Sequence, residues 1–133
     1  MSEFSIPGVR LGVAQAGIKY EGRDDLTLIE IAEGSSTAAV FTLNAFRAAP
    51  VVVAERNNAG HDAQYILINS GNANAGTGTP GMDACEASCA AVGKLTGDAL
   101  DRVLPFSTGV IGELLPVARI EAALPQAIAS LSE

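Results

Sequence analysis

The sequence VLPFSTGVIGE, which runs from Val103 to Glu113, decides how the last third of this chain is organised. An apolar segment enters it, a polar turn at Ser107, Thr108 and Gly109 interrupts it, and a pattern typical of a helix follows. Because glycine has no Cβ, the backbone at Gly109 can turn sharply and approach another group closely. The stretch therefore predicts a strand, a tight turn and the entrance to a helix.

Two functions of this turn stay open from the residues alone. Backbone N–H groups at a strand-to-helix turn often lack a partner, and aimed together they stabilise an anion or a developing oxyanion. The Thr108 hydroxyl could add a donor beside the Gly109 N–H. Alternatively, Ser107 or Thr108 only caps the helix that follows. Short motifs of this kind recur by chance, so the stretch alone favours the cap.

Composition narrows the class of protein. The 133 residues suit a single domain, 1–133, and a content of 48% hydrophobic and 17% charged residues is that of a globular chain. The formal net charge of −7 disfavours nucleic acid and anionic membranes as partners. No apolar run approaches the roughly 20 residues of a membrane span, and the N-terminal residues lack the pattern of a signal peptide. We expect a cytoplasmic protein.

Few side chains suit covalent or metal chemistry. Cys85 and Cys89 can share a helix face, but only His61 could add a further ligand, so the sequence predicts no metal and no cofactor. Neither thiol has a cation nearby, and both are interpreted as small buried side chains. His61 is expected to be solvated and without a partner in a surface loop, 57–62.

The first half of the chain predicts mostly strands. An antiparallel meander is expected from strands at 9–14, 26–32 and 37–42, with 17–19 continuing the first after a break. The segment that follows is ambiguous, because Pro50 favours the first turn of a helix whereas the valines at 51–53 favour a strand.

Two later units share one plan of apolar strand, polar loop and helix. The first has a strand at 65–69, a loop rich in Asn and Gly at 70–78, and a helix from Met82 that ends before Gly97. The second has a strand at 103–107, in which Pro105 favours a position at the edge of the sheet. Glu113 is then expected in a first helical turn, and Pro116 and Pro125 divide the remaining segment into two short helices. If both strands lie in one sheet, their loops meet at one edge. The prediction is an α/β fold with a mixed, partly antiparallel sheet and covering helices.

Five stretches, in order, resemble the ornithine acetyltransferase (glutamate N-acetyltransferase) family. They are AGIK at 16–19, VFTLN at 40–44, AAPV at 48–51, NSGNANA at 69–75 and STGVIGE at 107–113. Each is short, but the ordered set spans almost the whole chain. The resemblance implies the N-terminal part of the α chain of an enzyme that is made as a precursor and cleaves itself before a threonine. That threonine takes the acetyl group from N-acetylornithine and passes it to glutamate, in arginine biosynthesis, and some members also use acetyl-CoA.

The resemblance assigns the oxyanion hole to Thr108 and Gly109. It implies that the cleavage junction, the nucleophilic threonine and a substrate-binding lysine lie in sequence beyond this chain, whose end at 130–133 does not resemble the Ala-Thr junction. The isolated chain is therefore predicted to be inactive. Asn72 and Asn74 are expected to shape their loop without contacting substrate.

The resemblance also implies partners. They are the remainder of the α chain, the β chain that carries the nucleophile, and the small molecules glutamate and N-acetylornithine, in a hetero-oligomer whose missing sequence completes an α/β sandwich. Two alternatives stay open: an amidase or aminopeptidase of similar self-cleaving architecture, and a non-catalytic binding or assembly fragment.

Overall fold

A four-stranded mixed sheet is the frame of the molecule, of which the computed structural model describes residues 5–133. In sheet order the strands are β1 (Val9–Ala14), β2 (Leu26–Ile31), β3 (Tyr65–Asn72) and β4 (Val103–Val110). β2 is antiparallel to both of its neighbours, whereas β3 and β4 are parallel. The predicted mixed, partly antiparallel sheet is confirmed.

Three helices pack on one face of this sheet. They are α1 (Ala49–Gly60), α2 (Gly78–Thr96) and α3 (Val117–Ala129), and a short 3-10 turn, Leu100–Arg102, leads into β4. Fully buried side chains from strands and helices meet in one core: Leu26 and Leu28 on β2, Val53 on α1, Cys89 and Val92 on α2, and Leu124 on α3. Side chains alternate along a strand, so this core takes every second residue of β2 and β3.

The opposite face of the sheet carries apolar side chains that no described helix covers. Leu11 and Val13 on β1 are 49% and 41% exposed, and Phe106 on β4 is 41% exposed. Apolar side chains exposed on one face of a sheet mark a candidate site of association. The described part of the chain is thus one layer of helices on one sheet.

The predicted third strand of the meander, at 37–42, is wrong. Those residues form no strand, and the side chain of Val40 is 99% exposed. β1 and β3 occupy both edges of β2, so the alternating pattern at 37–42 has no β2 edge with which to pair. Residues 17–19 are also not strand. Their loop is held by the buried Asp25 carboxylate, which accepts the N–H groups of Ala16 and Ile18 at 2.7 Å each.

The predicted loop at 57–62 is wrong for its first residues, because α1 continues to Gly60. Asn57 is only 2% exposed, and its Nδ2 donates to the Val103 carbonyl oxygen at 2.8 Å. The ambiguity at 51–53 resolves as helix, with Pro50 in the first turn as the sequence suggested. Packing against the sheet outweighs the weak helix propensity of the valines.

The turn predicted at 107–109 is wrong, because β4 continues through it to Val110. β3 extends to Asn72 and supplies pairing partners over the same length. The next helix begins only at Val117, so neither Ser107 nor Thr108 caps it and Glu113 lies in a bend.

The two short helices predicted for the C-terminal segment form one helix, α3, with Pro125 inside it. Its buried stripe of Ile120, Ala123, Leu124 and Ala127 continues across the proline. Packing of that stripe compensates for the hydrogen bond that Pro125 cannot donate. Other expectations are confirmed: Pro105 lies on an edge strand, and Gly97 closes α2 with a φ of +81°.

Candidate active site

The C-terminal ends of β3 and β4 lie side by side, as the shared plan of the two units predicts. Their parallel register pairs Ser70 with Thr108, Gly71 with Gly109 and Asn72 with Val110. The Asn- and Gly-rich segment after β3 and the stretch after β4 therefore meet at one edge of the sheet. In sheets with parallel strands this edge is the usual position of a binding site.

Only glycine fits at position 109. Its φ of +131° is a conformation that side chains rarely adopt, and a Cβ there would overlap the carbonyl of Gly71 and lie 2.6 Å from the Asn72 nitrogen. The close approach to β3 fixes where the Gly109 peptide lies. The glycine is thus required by backbone geometry.

The N–H of Gly109 points away from the sheet. The Val110 carbonyl accepts the Ala73 N–H at 2.9 Å, so Val110 is a residue whose peptide groups face β3. Peptide groups alternate in direction along a strand, which turns the Gly109 N–H toward the free edge of β4. The neighbouring Thr108 side chain is exposed on the sheet face opposite the helices. Two adjacent donors, one hydroxyl and one backbone N–H, are therefore open to a ligand.

An apolar cavity of about 330 Å³ adjoins Thr108. It lies between residues 39–42, the first turns of α1, and the β4 residues from Pro105 to Thr108. A hydrogen-bond donor at the rim of an apolar cavity can hold a carbonyl oxygen while the apolar part of the same group is removed from water. This arrangement suits acyl chemistry.

Buried asparagines connect the two strand ends. Asn69 Oδ1 accepts the Ser107 hydroxyl at 2.6 Å, and Asn69 Nδ2 donates to the Asn72 carbonyl at 2.9 Å. Asn72 Nδ2 in turn donates to the carbonyls of Glu113 and Leu114 at 3.2 and 3.1 Å. Sequence reasoning missed Asn69, although an amide at the end of an apolar strand was a signal that could have indicated it.

Asn74 shapes the loop after β3. Its φ is +47°, its N–H donates to Asn72 Oδ1 at 2.7 Å, and its Nδ2 donates to the Gly81 carbonyl at 3.0 Å. All of these contacts hold backbone or the neighbouring asparagine. Asn74, in the loop after β3, and Asn72, the last residue of β3, thus hold the backbone around the strand end.

The other candidate side chains lie elsewhere. Cys85 and Cys89 are free and buried, and the neighbouring Cys89 thiol, together with burial, raises the pKa of the Cys85 thiol, so it stays neutral. His61 does have a partner, contrary to expectation: its Nε2 lies 2.9 Å from Asp101 Oδ2, near the opposite end of β3 from Asn72. Within residues 5–133 no group of three or more His, Cys, Asp or Glu side chains could hold a metal ion.

Comparison with known proteins settles the family. The sequence profile of the ArgJ family matches residues 10–133, which is nearly the whole chain. The chain belongs to the ArgJ family. It is 61% identical to the arginine biosynthesis bifunctional protein ArgJ of Methylococcus capsulatus over 128 residues, and 54% identical to that of Pseudomonas syringae over 127 residues. Each alignment covers 96% of this chain, which spans 31% of the length of either relative.

Solved structures confirm the mixed α/β fold of this chain. The crystal structure of ArgJ from Bacillus halodurans matches with a TM-score of 0.82 and 36% identity, over 87% of this chain and 61% of that one. Ornithine acetyltransferase from Mycobacterium tuberculosis, complexed with ornithine, matches with a TM-score of 0.82 and 32% identity, over 95% and 68%. The family resemblance inferred from the five stretches is thereby confirmed. No helix among the described residues has the length and apolar character needed to cross a membrane.

Proposed function

We propose that this chain is the N-terminal portion of an acetyltransferase that moves an acetyl group from N-acetylornithine to glutamate through an acetyl-threonine intermediate. The observation that carries the proposal is the pair of adjacent donors, the Thr108 hydroxyl and the Gly109 N–H, open at the free edge of β4 in a chain of the ArgJ family. The relatives are named for arginine biosynthesis, and one structural neighbour is an ornithine acetyltransferase with ornithine bound. Both facts support these substrates.

In the proposed first half-reaction, a threonine hydroxyl from the rest of the protein adds to the acetyl carbonyl. The π-electron pair moves onto the oxygen, and the Thr108 hydroxyl and Gly109 N–H donate to the resulting oxyanion. When the oxyanion collapses, the C–N bond breaks and ornithine leaves as an amine with the proton from the hydroxyl. Such donors stabilise the transition state more than the ground state, which is what raises a rate.

In the proposed second half-reaction, the amino group of glutamate adds to the acetyl ester. The same two donors stabilise the second oxyanion, the C–O bond to threonine breaks, and the threonine oxygen takes up a proton that the amine loses. The products are N-acetylglutamate and the regenerated hydroxyl. No cofactor takes part in either half, and acetyl-CoA could replace N-acetylornithine as acetyl donor.

The partners proposed for this chain are the remainder of the α chain and the β chain with the nucleophile. The exposed apolar sheet face around Leu11 and Val13 is the surface that these partners would cover, which completes the sandwich. We place the resulting hetero-oligomer in the cytoplasm, in keeping with two free cysteines.

Without its partners the chain supplies oxyanion donors but no attacking group. We therefore expect the purified 133-residue chain to show no acetyl transfer from N-acetylornithine to glutamate. The measurement is a transfer assay with the chain alone and after addition of the separately expressed remainder. Turnover by the chain alone would contradict the proposed division of the site.

The role of Thr108 is tested in the full-length protein with Thr108→Ala. We expect kcat for transfer to fall about 100-fold, since one oxyanion donor is lost, while Thr108→Ser keeps most activity because it keeps the hydroxyl. Self-cleavage and the melting temperature are measured in parallel. The matched control is Thr79→Ala, at an exposed threonine of α2, which should leave kcat unchanged.

Each outcome of this experiment selects one function. A fall in kcat for Thr108→Ala alone supports the acetyltransferase. Full activity in Thr108→Ala would remove the oxyanion role, and release of acetate without transfer to glutamate would favour the amidase alternative. A folded, cleaved protein that neither transfers nor hydrolyses would favour the non-catalytic assembly fragment.

A further inference from the structure

We infer that Asn69 is a positioning residue for the oxyanion hole, acting through Ser107 and Asn72 on the peptide between Thr108 and Gly109. The inference rests on the proposed function, because it assigns to Asn69 the alignment of the same two donors. Asn69 lies on β3 directly opposite Ser107 and is 4% exposed. It is therefore a buried amide one residue away from the site.

Asn69 restrains the backbone immediately before the donors. Its Oδ1 accepts the Ser107 hydroxyl at 2.6 Å, the short end of the range for an O–H···O bond. The side chains of Asn69 and Ser107 lie on the face of the sheet that the helices cover, whereas the Thr108 side chain lies on the other face. The bond thus restrains β4 on the face that the helices cover, and it leaves the Thr108 side chain on the other face free for substrate.

A second arm of the same network restrains the backbone after the donors. Asn69 Nδ2 donates to the Asn72 carbonyl at 2.9 Å, and the Asn72 side chain, 3% exposed, holds the carbonyls of Glu113 and Leu114. Two backbone bonds join this arm, from Ala73 N–H to the Val110 carbonyl at 2.9 Å and from Gly112 N–H to the Ala75 carbonyl at 2.8 Å. Hydrogen bonds that begin at Asn69 therefore restrain the backbone on both sides of Thr108 and Gly109.

Rigid placement matters at this position because β4 is an edge strand and β3 is its one neighbour in the sheet. An oxyanion donor contributes to rate only if it is aimed at the oxygen before the reaction begins. Gly109 lacks a side chain that could restrict its backbone, so the restraint has to come from its neighbours. Both polar groups of the Asn69 amide are used for that restraint, and among residues 5–133 its side chain makes no other hydrogen bond.

The experiment is a double-mutant cycle between Asn69→Ala and Thr108→Ala in the full-length, self-cleaved protein. We expect Asn69→Ala to lower kcat about tenfold or more with little change in KM, because oxyanion stabilisation acts in the transition state. In the Thr108→Ala background the same substitution should lower kcat by less than about threefold, since only the Gly109 N–H is left for Asn69 to align. Ser107→Ala removes the same bond from the partner side and should reproduce part of the effect if Asn69→Ala folds poorly.

The matched control is Asn57→Ala. Asn57 is another buried asparagine that donates to β4, at the Val103 carbonyl, but it lies at the opposite end of the strand from Thr108. Its loss should lower the melting temperature as much as Asn69→Ala does while kcat stays unchanged. Equal loss of kcat in both variants would show that the effect of Asn69 is structural only.

The outcomes separate this inference from the proposed function. If the wild type is active, Thr108→Ala is impaired, and the two losses of kcat multiply in the double variant, then the residues act independently. That result overturns the positioning role of Asn69 and leaves the proposed acetyltransferase function intact. A wild type without transfer, or Thr108→Ala with full activity, overturns the oxyanion hole and the role of Asn69 with it. Coupling between Asn69 and Thr108, absent between Asn57 and Thr108, supports the inference.

Discussion

Gly109→Ala in the full-length protein is expected to lower kcat/KM for acetyl transfer about 1000-fold, because it displaces both oxyanion donors at once. An added Cβ would overlap the Gly71 carbonyl and lie 2.7 Å from its oxygen and 2.6 Å from the Asn72 nitrogen. Both are backbone atoms of β3 and cannot swing aside. The end of β4 must move outward instead, and the Gly109 N–H moves with it. Transfer kinetics on purified, self-cleaved protein measure the loss.

Strain alone does not account for that loss. Gly34 also has a positive φ, +86°, but a Cβ there meets nothing within 4 Å. Gly34→Ala therefore also places a side chain at positive φ, at a cost of about 1–2 kcal/mol, but without a collision and away from the site. We expect it to lower the melting temperature slightly and to leave kcat/KM unchanged. If Gly109→Ala behaved like Gly34→Ala, the close contact between β3 and β4 would not determine the site.

Gly12→Ala is expected to give the largest loss of stability among single methyl additions in this chain. A Cβ at Gly12 would overlap the Ala127 carbonyl oxygen of α3 and lie 3.0 Å from its carbon. β1 faces α3 at this point, so the methyl group would push the helix off the sheet. We expect a loss of about 3 kcal/mol, at the upper end for overpacking, seen as a lower melting temperature and poor soluble yield.

The control for Gly12→Ala is Gly60→Ala, which adds the same methyl group at the end of α1. A Cβ there meets nothing within 4 Å and the backbone φ is not positive. Alanine also favours helix over glycine, so stability should stay unchanged or rise slightly. A loss of stability for Gly60→Ala as large as for Gly12→Ala would show that the contact between β1 and α3 is not the cause.

Local sequence patterns identified those helices and strands that depend mainly on neighbouring residues in the chain. The apolar segment at 65–69 became β3, Gly97 closed α2 with a left-handed backbone, and the apolar spacing after Val117 became a helix. Thr108 and Gly109 were found by a different route. Their residues alone favoured a helix cap, and the ordered family stretches raised them to candidate oxyanion donors.

The sequence by itself determined the family and the mixed α/β class, because these depend on residue identity and spacing along the chain. Tertiary structure alone decided that Thr108 lies in a strand, that residues 37–42 do not, and that Asn57 is buried. In each case the deciding contact is with residues distant in sequence. β3 pairs with the strand that contains Thr108, and β1 and β3 pair with both edges of β2, so 37–42 cannot pair there. The Val103 carbonyl accepts a hydrogen bond from the Asn57 side chain. A backbone hydrogen bond between strands depends on which strand lies alongside, and local periodicity does not contain that information.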